Sequence, residues 1–387
     1  MNTVGDALSI RYNNLVYELQ SAGHDVTVLS LGEAFFDVPL HSFEELPQPA
    51  IFHYSHSRGL PELRSKLARY YANEYGVPVD AEREIIVTAG SKVAIHMTLM
   101  AMLDPGDEAV IVEPAWVSYV EQVKLCHAVP VTVPYNVPLN ELDQYITPRT
   151  KVVILNYPNN PRGQTLSTEE WAGLHEMARR HDVYLLCDEA YSDFVPEEER
   201  FISAGVGDPK KRHTVICNSM SKNYGLSGWR VGYVIGDEQL MDQVLKINQH
   251  LVTCPATILS YYLTAHFDDL LEVTKPQIAA VVSWREKVME HLDQLGLEYL
   301  AGSATFYLFV SIADSTLSSE EFCTRLLTER HVCAVPGIGY GESCDGFIRI
   351  SVGTESEERT LRGLQAISDL VRETASRDAV AGGQFYA

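Results

Sequence analysis

The chain has 387 residues, and its composition, 46% hydrophobic and 21% charged, is that of a globular protein. Its length exceeds what one hydrophobic core usually supports, so we expect two domains. Asp and Glu outnumber Lys and Arg by 52 to 30, and the formal charge of −22 disfavours nucleic acid or an anionic membrane as a partner. If the ligand is an anion, a local basic pocket must bind it against this field.

The seven cysteines are odd in number and form no C-x-x-C spacing. They favour reduced thiols over a disulfide framework or a structural zinc site, and we expect no metal site. The segment Met1–Asp6 lacks a basic region followed by an apolar run, and no apolar stretch approaches the roughly 20 residues of a membrane span. We therefore expect a soluble, cytoplasmic protein.

Short apolar strands alternate with helices along most of the chain. In chain order, the predicted elements are strand 84–88, helix 93–103, strands 108–112 and 151–155, helix 168–181, and strands 183–187, 214–217 and 231–235. This alternation predicts an α/β fold with a mostly parallel sheet and helices on both faces. Because ligands of such sheets lie beyond the carboxyl ends of the strands, polar residues just after these strands are the candidate site residues.

The pattern changes towards the C-terminus, where amphipathic helices are predicted at 284–295 and 319–330 and a strand at 346–352. These elements indicate a smaller α+β domain that the N-terminal segment completes. We expect a large ligand-binding domain at 48–285, and an N-terminal arm and small domain at 1–47 and 286–387.

Lys222 lies just past a predicted buried strand, within the stretch Ser219–Gly232. Burial lowers the pKa of an ammonium group because desolvation disfavours the charged form, and the resulting amine can condense with an aldehyde. Ser219, Ser221 and Arg230 offer hydroxyl groups and a forked guanidinium to a phosphate. A solvated surface lysine is the alternative for this residue alone.

This stretch resembles the Schiff-base lysine signature of the class I/II aminotransferases. These are fold-type I enzymes dependent on pyridoxal 5'-phosphate (PLP) and related to aspartate aminotransferase. Matching motifs follow in the family's order from about Gly32 to about Gly353. The resemblance implies the PLP-dependent transferase fold type I, a PLP cofactor bound to Lys222 as a Schiff base, and a homodimer.

The resemblance also implies roles around the cofactor ring. Asn160, in a motif similar to Asn-Pro-Thr-Gly, and Tyr191 would hold the 3'-oxygen, and Asp188 would pair with the pyridine nitrogen. A carboxylate there keeps the ring protonated and a better electron sink. Trp116 would stack on the ring. Taken singly, these residues could also be a turn, a helix cap or a core aromatic.

The phosphate would bind at the turn Gly90, Ser91 and Lys92, where a helix begins and its unpaired N–H groups face an anion. The resemblance implies that Ser219 and Arg230 also bind the phosphate. Tyr54 matches the tyrosine that reaches the phosphate of the neighbouring subunit, which implies shared active sites in the dimer.

Arg349, bracketed by apolar residues in a predicted strand, matches the arginine that binds the substrate α-carboxylate. An internal salt bridge is the alternative for this residue. Gly32 matches the position whose backbone meets the same carboxylate, and Trp116 and Asn160 would also contact the substrate. Lys92 matches a position that meets a distal carboxylate in some relatives, which makes a dicarboxylic substrate reasonable; a structural role is the alternative for this lysine.

The sequence departs from the family pattern on the expected substrate side. Arg11 and Arg162 stand where the family more often has uncharged residues, although either could be surface-exposed, and the run Ser303–Tyr307 differs from the common Gly-Ala-Phe-Tyr. We expect an aminotransferase acting on an α-amino acid and a 2-oxo acid, but these departures weaken the case for an ordinary one. The alternative is another PLP reaction on the same scaffold, namely β- or γ-elimination or replacement, cyclisation or oxidation.

A non-catalytic effector domain of a transcription regulator is a third possibility. Such regulators carry a winged-helix domain ahead of the PLP fold, whereas the motifs here begin by Gly32. The acidic charge also opposes DNA binding, so we do not expect this role.

Overall fold

The computed structural model describes residues 4–375. The expected ranges 1–47 and 286–387 therefore extend beyond the described residues at both ends. The first three residues of the segment that we inspected for a leader also lie outside them.

The larger sheet has seven strands, which adjoin in the order β2-β8-β7-β6-β5-β3-β4. They are β2 (Ile85–Thr88), β3 (Glu108–Val112), β4 (Val129–Val133), β5 (Thr150–Asn156), β6 (Tyr184–Asp188), β7 (Thr214–Ser219) and β8 (Gly232–Ile235). All neighbours are parallel except β8, which is antiparallel to both β7 and β2. The predicted mostly parallel sheet is thus confirmed, with bounds shifted by one or two residues.

Six helices accompany this sheet. They are α2 (Pro61–Tyr75), α3 (Ser91–Met102), α4 (Tyr119–Leu125), α5 (Thr168–His181), α6 (Glu238–Leu251) and α7 (Thr257–Leu295). The ends of α5 follow from local chemistry, because Ser167 and Glu170 form a capping box and Asp182 ends the helix in the left-handed conformation. Every residue of β2, β7 and β8 is buried, as expected of strands covered on both faces.

The remaining elements form a smaller unit. It contains α1 (Leu8–Ser21), β1 (Thr27–Val28), β9 (Tyr307–Ser311), α8 (Ser319–Arg330), β10 (Val332–Cys333), β11 (Val335–Pro336), β12 (Phe347–Ser351) and α9 (Glu357–Thr374). Strands β11, β12 and β9 make an antiparallel sheet, and β1 pairs with β10 in parallel. A separate hydrophobic core joins α1 to the C-terminal strands and helices.

The helix predicted at 284–295 is wrong in its start. It is the last part of the 39-residue helix α7, which is kinked at His266 and runs through the expected domain boundary at 285/286. Pro276 lies inside α7, and because a proline in a helical pattern usually marks a boundary, the sequence favours a shorter helix than the one observed. Within residues 4–375, no helix combines the length and the apolar character needed to cross a bilayer.

Candidate active site

The carboxyl ends of the central strands meet at one edge of the large sheet. Asp188 is the last residue of β6 and Ser219 the last of β7, while Asn160 and Lys222 follow β5 and β7 closely. A cavity of about 280 Å³ opens there. It is lined by ten of the predicted residues: Gly32, Ser91, Lys92, Trp116, Asn160, Asp188, Tyr191, Ser219, Lys222 and Arg230.

The Lys222 side chain points into this cavity, and its ammonium donates to the Gly32 carbonyl. Burial lowers the pKa of Lys222 from 10.5 to about 8. The uncharged amine, which is the state that attacks a carbonyl carbon, is therefore more populated near neutral pH than it would be in an exposed lysine.

Asp188 is buried on the opposite wall, and burial raises the pKa of its carboxyl to about 6. The Tyr119 hydroxyl donates to Oδ2 at 2.7 Å, and the Ala190 N–H donates to Oδ1 at 3.2 Å. Asn156 fixes the end of β6, because its Nδ2 donates to the Asp188 carbonyl at 2.8 Å. Asp188 has no ion-pair partner among the described residues, and it lines the cavity, so its buried carboxylate suits a cationic group of a ligand bound there.

Two phenols and an amide form a chain along another wall. Asn160 Nδ2 donates to the Tyr191 hydroxyl at 3.3 Å, and that hydroxyl lies 3.0 Å from the Tyr307 hydroxyl. The Asn160 N–H is held by Asn156 Oδ1 at 2.8 Å. These groups offer neighbouring donors to one anionic oxygen.

The amino terminus of α3 provides an anion cradle. A Cβ on Gly90 would lie 2.8 Å from the Arg230 guanidinium, and φ at Gly90 is +87°. A Cβ on Gly232 would lie 2.5 Å from Ser91 N. Both glycines are required for the helix end, the guanidinium and β8 to approach so closely, and they concentrate N–H donors and positive charge.

Lys92 adds charge beside this cradle. Its ammonium lies 5.0 Å from the Trp116 ring centroid, and burial and the nearby Arg230 lower its pKa. Three cationic side chains thus line one cavity of an otherwise acidic protein, which is the local basic pocket that an anionic ligand requires.

Arg349, on β12, does not itself line the cavity, but its guanidinium contacts Tyr307 and Asn160, which do. It is buried, donates to the Ser30 carbonyl, and stacks 4.5 Å from the Tyr307 ring centroid. Its buried Nε has no hydrogen-bond partner within the described residues. The internal salt bridge weighed as an alternative does not occur among these residues, and the free donor suits a carboxylate.

Tyr54 is not brought to the cavity. Its side chain is 87% exposed, so within one chain it has no role at this site.

The two unusual arginines are also not cavity-lining residues. Arg11 forms an exposed ion pair with Glu320, and Arg162 Nε donates to the Ala301 carbonyl at 2.9 Å. Neither side chain lines this cavity, because both contact the C-terminal part of the chain instead, and for Arg11 the structure shows the surface position that was the alternative.

Sequence reasoning missed Tyr119 and Tyr307. Tyr119 lies three residues after Trp116, a spacing that places both side chains together where a helix begins, and their rings meet edge-on at 5.2 Å. Tyr307 lay in a run noted only for its departure from the family. Neither had a local pattern that distinguishes it from a core tyrosine.

The cavity's residues fit PLP by charge and shape. A buried unpaired carboxylate suits the pyridinium, the cradle of Gly90 and Arg230 suits the phosphate, and the Lys222 amine suits the aldehyde.

Away from the cavity, His41, His266 and Asp269 bring donor atoms within 4.8 Å of one another. The two imidazole planes differ by only 6°, so their in-plane lone pairs do not converge on one ion.

The profile of the family described as "Aminotransferase class I and II" matches residues 23–367. Aspartate aminotransferase of Pyrococcus abyssi is 31% identical over 89% of this chain and 91% of its own length. Aromatic-amino-acid aminotransferase 2 of Thermococcus litoralis is 30% identical over 89% and 91%. The solved structure of Thermus thermophilus aspartate aminotransferase with maleate superposes with a TM-score of 0.87 at 30% identity, covering 95% of this chain and 98% of that one. This chain therefore belongs to the class I and II aminotransferase family.

Proposed function

We propose that this PLP-dependent aminotransferase holds its cofactor on Lys222 as a Schiff base and transfers an amino group between an α-amino acid and a 2-oxo acid. The observation that carries the proposal is the largely buried Lys222 amine, whose pKa falls to about 8, in one cavity with Asp188. A surface lysine would have neither the lowered pKa nor these neighbours.

Bound PLP supplies an aldehyde that condenses with amines and a ring that withdraws electrons from the attached carbon. Asp188 would hold the ring nitrogen, Asn160 and Tyr191 the 3'-oxygen, and Trp116 one face of the ring. Lys222 Nζ, once free, is the base that accepts the substrate's α-proton and returns it to a neighbouring carbon. Its lowered pKa suits both halves of that transfer near neutral pH.

The remaining binding groups would fix the two anionic ends. The first turn of α3, with Gly90 and Ser91, would bind the phosphate together with Ser219 and Arg230. Arg349 and the Gly32 backbone would hold the α-carboxylate.

Elimination, replacement, cyclisation and oxidation are not favoured, because the relatives compared are named as aminotransferases. For the amino donor, the Lys92 ammonium in the cavity favours an anionic side chain. Acidic and aromatic amino acids should both be assayed as donors, since one relative is named an aspartate aminotransferase and another an aromatic-amino-acid aminotransferase.

The test combines spectroscopy with product analysis. Wild-type protein with PLP is expected to show the absorbance band of a lysine-bound cofactor, and a donor amino acid is expected to convert it to the aminated form. Lys222→Ala is expected to lose the band. A retained band in Lys222→Ala, or ammonia release instead of amination in the wild type, would contradict the proposal.

We also propose a homodimer in which Tyr54 reaches the partner's phosphate site. The 87% exposure of Tyr54 and of its apolar neighbour Phe52 at 72% supports this arrangement. Mixing inactive Tyr54→Ala and Lys222→Ala proteins is expected to restore part of the activity, since one site per mixed dimer is then intact. A mixture that stays inactive would contradict shared sites.

We further propose a cytoplasmic setting, which the seven free cysteines support.

A further inference from the structure

A second polar cluster lies behind the cavity, formed by Ser192, Asn218, Asn223 and Tyr75. All four side chains are buried, and none of them lines the cavity. A buried polar group is costly unless it is hydrogen-bonded, so the cluster needs a reason to be there.

Ser192 is the centre of this cluster. Its Oγ accepts from Asn223 Nδ2 at 2.9 Å, from Asn218 Nδ2 at 3.2 Å and from the Tyr75 hydroxyl at 2.9 Å. Three donors therefore converge on one hydroxyl oxygen, which has two acceptor sites, so all of its accepting capacity is used.

The partners of Ser192 come from the segment that carries the proposed lysine. Asn218 directly precedes Ser219, and Asn223 directly follows Lys222, whereas Ser192 itself directly follows Tyr191. One hydroxyl therefore joins the loop after β6 to the end of β7, through Asn218, and to the loop after β7, through Asn223.

The cluster is anchored to helices on its far side. Thr274 Oγ1, in α7, donates to the Asn223 carbonyl at 2.7 Å. The Tyr70 hydroxyl, in α2, lies 2.6 Å from the Tyr75 hydroxyl and donates to the Asp193 carboxylate. Movement of either loop would leave several buried donors without partners, so the network resists such movement.

We infer that Ser192 is a positioning residue for the amino transfer, which sets the distance between the Asp188–Tyr191 wall and Lys222 through Asn218 and Asn223. This inference rests on the proposed function, because it assumes that the cofactor is held by Lys222. It assigns no contact with the cofactor to Ser192 itself.

Ser192→Ala removes the shared acceptor with almost no change in volume. We expect the PLP dissociation constant to rise roughly tenfold, since two buried amides each lose one of two acceptors and keep only Tyr71 or Tyr70, and the two segments lose the group that joins them. We also expect the pH midpoint of the lysine-bound cofactor band to shift by at least about 0.3 unit, because the distance between Asp188 and the lysine nitrogen changes. Equilibrium dialysis and a spectroscopic pH titration of the holoenzyme measure the two quantities.

The matched control is Ser260→Ala. Ser260 is also buried, but its Oγ donates only to the Ala256 carbonyl within α7 at 3.0 Å. This variant is expected to keep the wild-type dissociation constant and midpoint. If Ser192→Ala does not fold, Ser192→Cys, which keeps a weak donor and acceptor, is expected to move both quantities in the same direction by a smaller amount.

The possible failures are distinguishable. A folded Ser192 variant that loses thermal stability but keeps both cofactor readouts overturns the positioning role and leaves the proposed function intact. A wild-type protein that lacks the lysine-bound band contradicts the proposed function itself.

Discussion

Replacing Arg349 by lysine tests how the site recognises an α-carboxylate. The guanidinium is held by the Ser30 carbonyl and by stacking on Tyr307, and its buried Nε has no partner among the described residues. A carboxylate would accept two parallel N–H bonds from this fork, whereas an ammonium presents a point charge.

The expected loss follows from that difference. One charge-assisted hydrogen bond contributes about 1.5–3 kcal/mol, so kcat/KM is expected to fall roughly 10- to 150-fold in Arg349→Lys. The assay compares an α-amino acid with the amine that has the same side chain but no α-carboxylate. Only the amino acid is expected to lose rate, and PLP affinity is expected to stay unchanged. An equal loss for both substrates would refute the reasoning, because it would indicate a distorted cavity instead of a lost carboxylate contact.

Two further predictions concern stability. Lys222→Met is expected to stabilise the cofactor-free protein by roughly 1–3 kcal/mol at pH 7, because the folded-state pKa of about 8 lies below the unfolded value of 10.5. The buried charge destabilises the native state by its full amount below about pH 8. The stability gained in Lys222→Met is therefore expected to shrink as the pH rises from about 8 to 10.5, where the wild-type lysine loses its charge. A gain that does not vary with pH in denaturant titrations would show that the buried charge is not its cause. Asp182→Gly is expected to raise the free energy of unfolding by about 0.5–1 kcal/mol, because this exposed residue ends α5 with φ at 52° and places a negative charge at the helix carboxyl terminus. Asp182→Ala, which removes the charge but not the strain, is the control and is expected to gain less.

Local patterns in the sequence predicted much of the large sheet and many of the candidate site residues. Short apolar runs predicted six of the seven strands in the large sheet, because a strand buried on both faces is apolar along its whole length. The exception, β4, is an edge strand whose residues are mostly not buried, so its sequence lacks that signal. The motif residues Asn160, Asp188 and Lys222 lie at strand ends in the sequence and meet in space because parallel strands present their carboxyl ends at one edge.

Only the tertiary structure decided the rest. The low pKa of Lys222 and the high pKa of Asp188 are products of burial, which depends on residues far away in the chain. Arg11 and Arg162 could not be placed by sequence, since a long side chain reaches in either direction and its partners Glu320 and Ala301 lie well over 100 residues away. Hydrogen bonds from Tyr119 to Asp188 and around Ser192 also join distant segments, so no spacing in the sequence could reveal them.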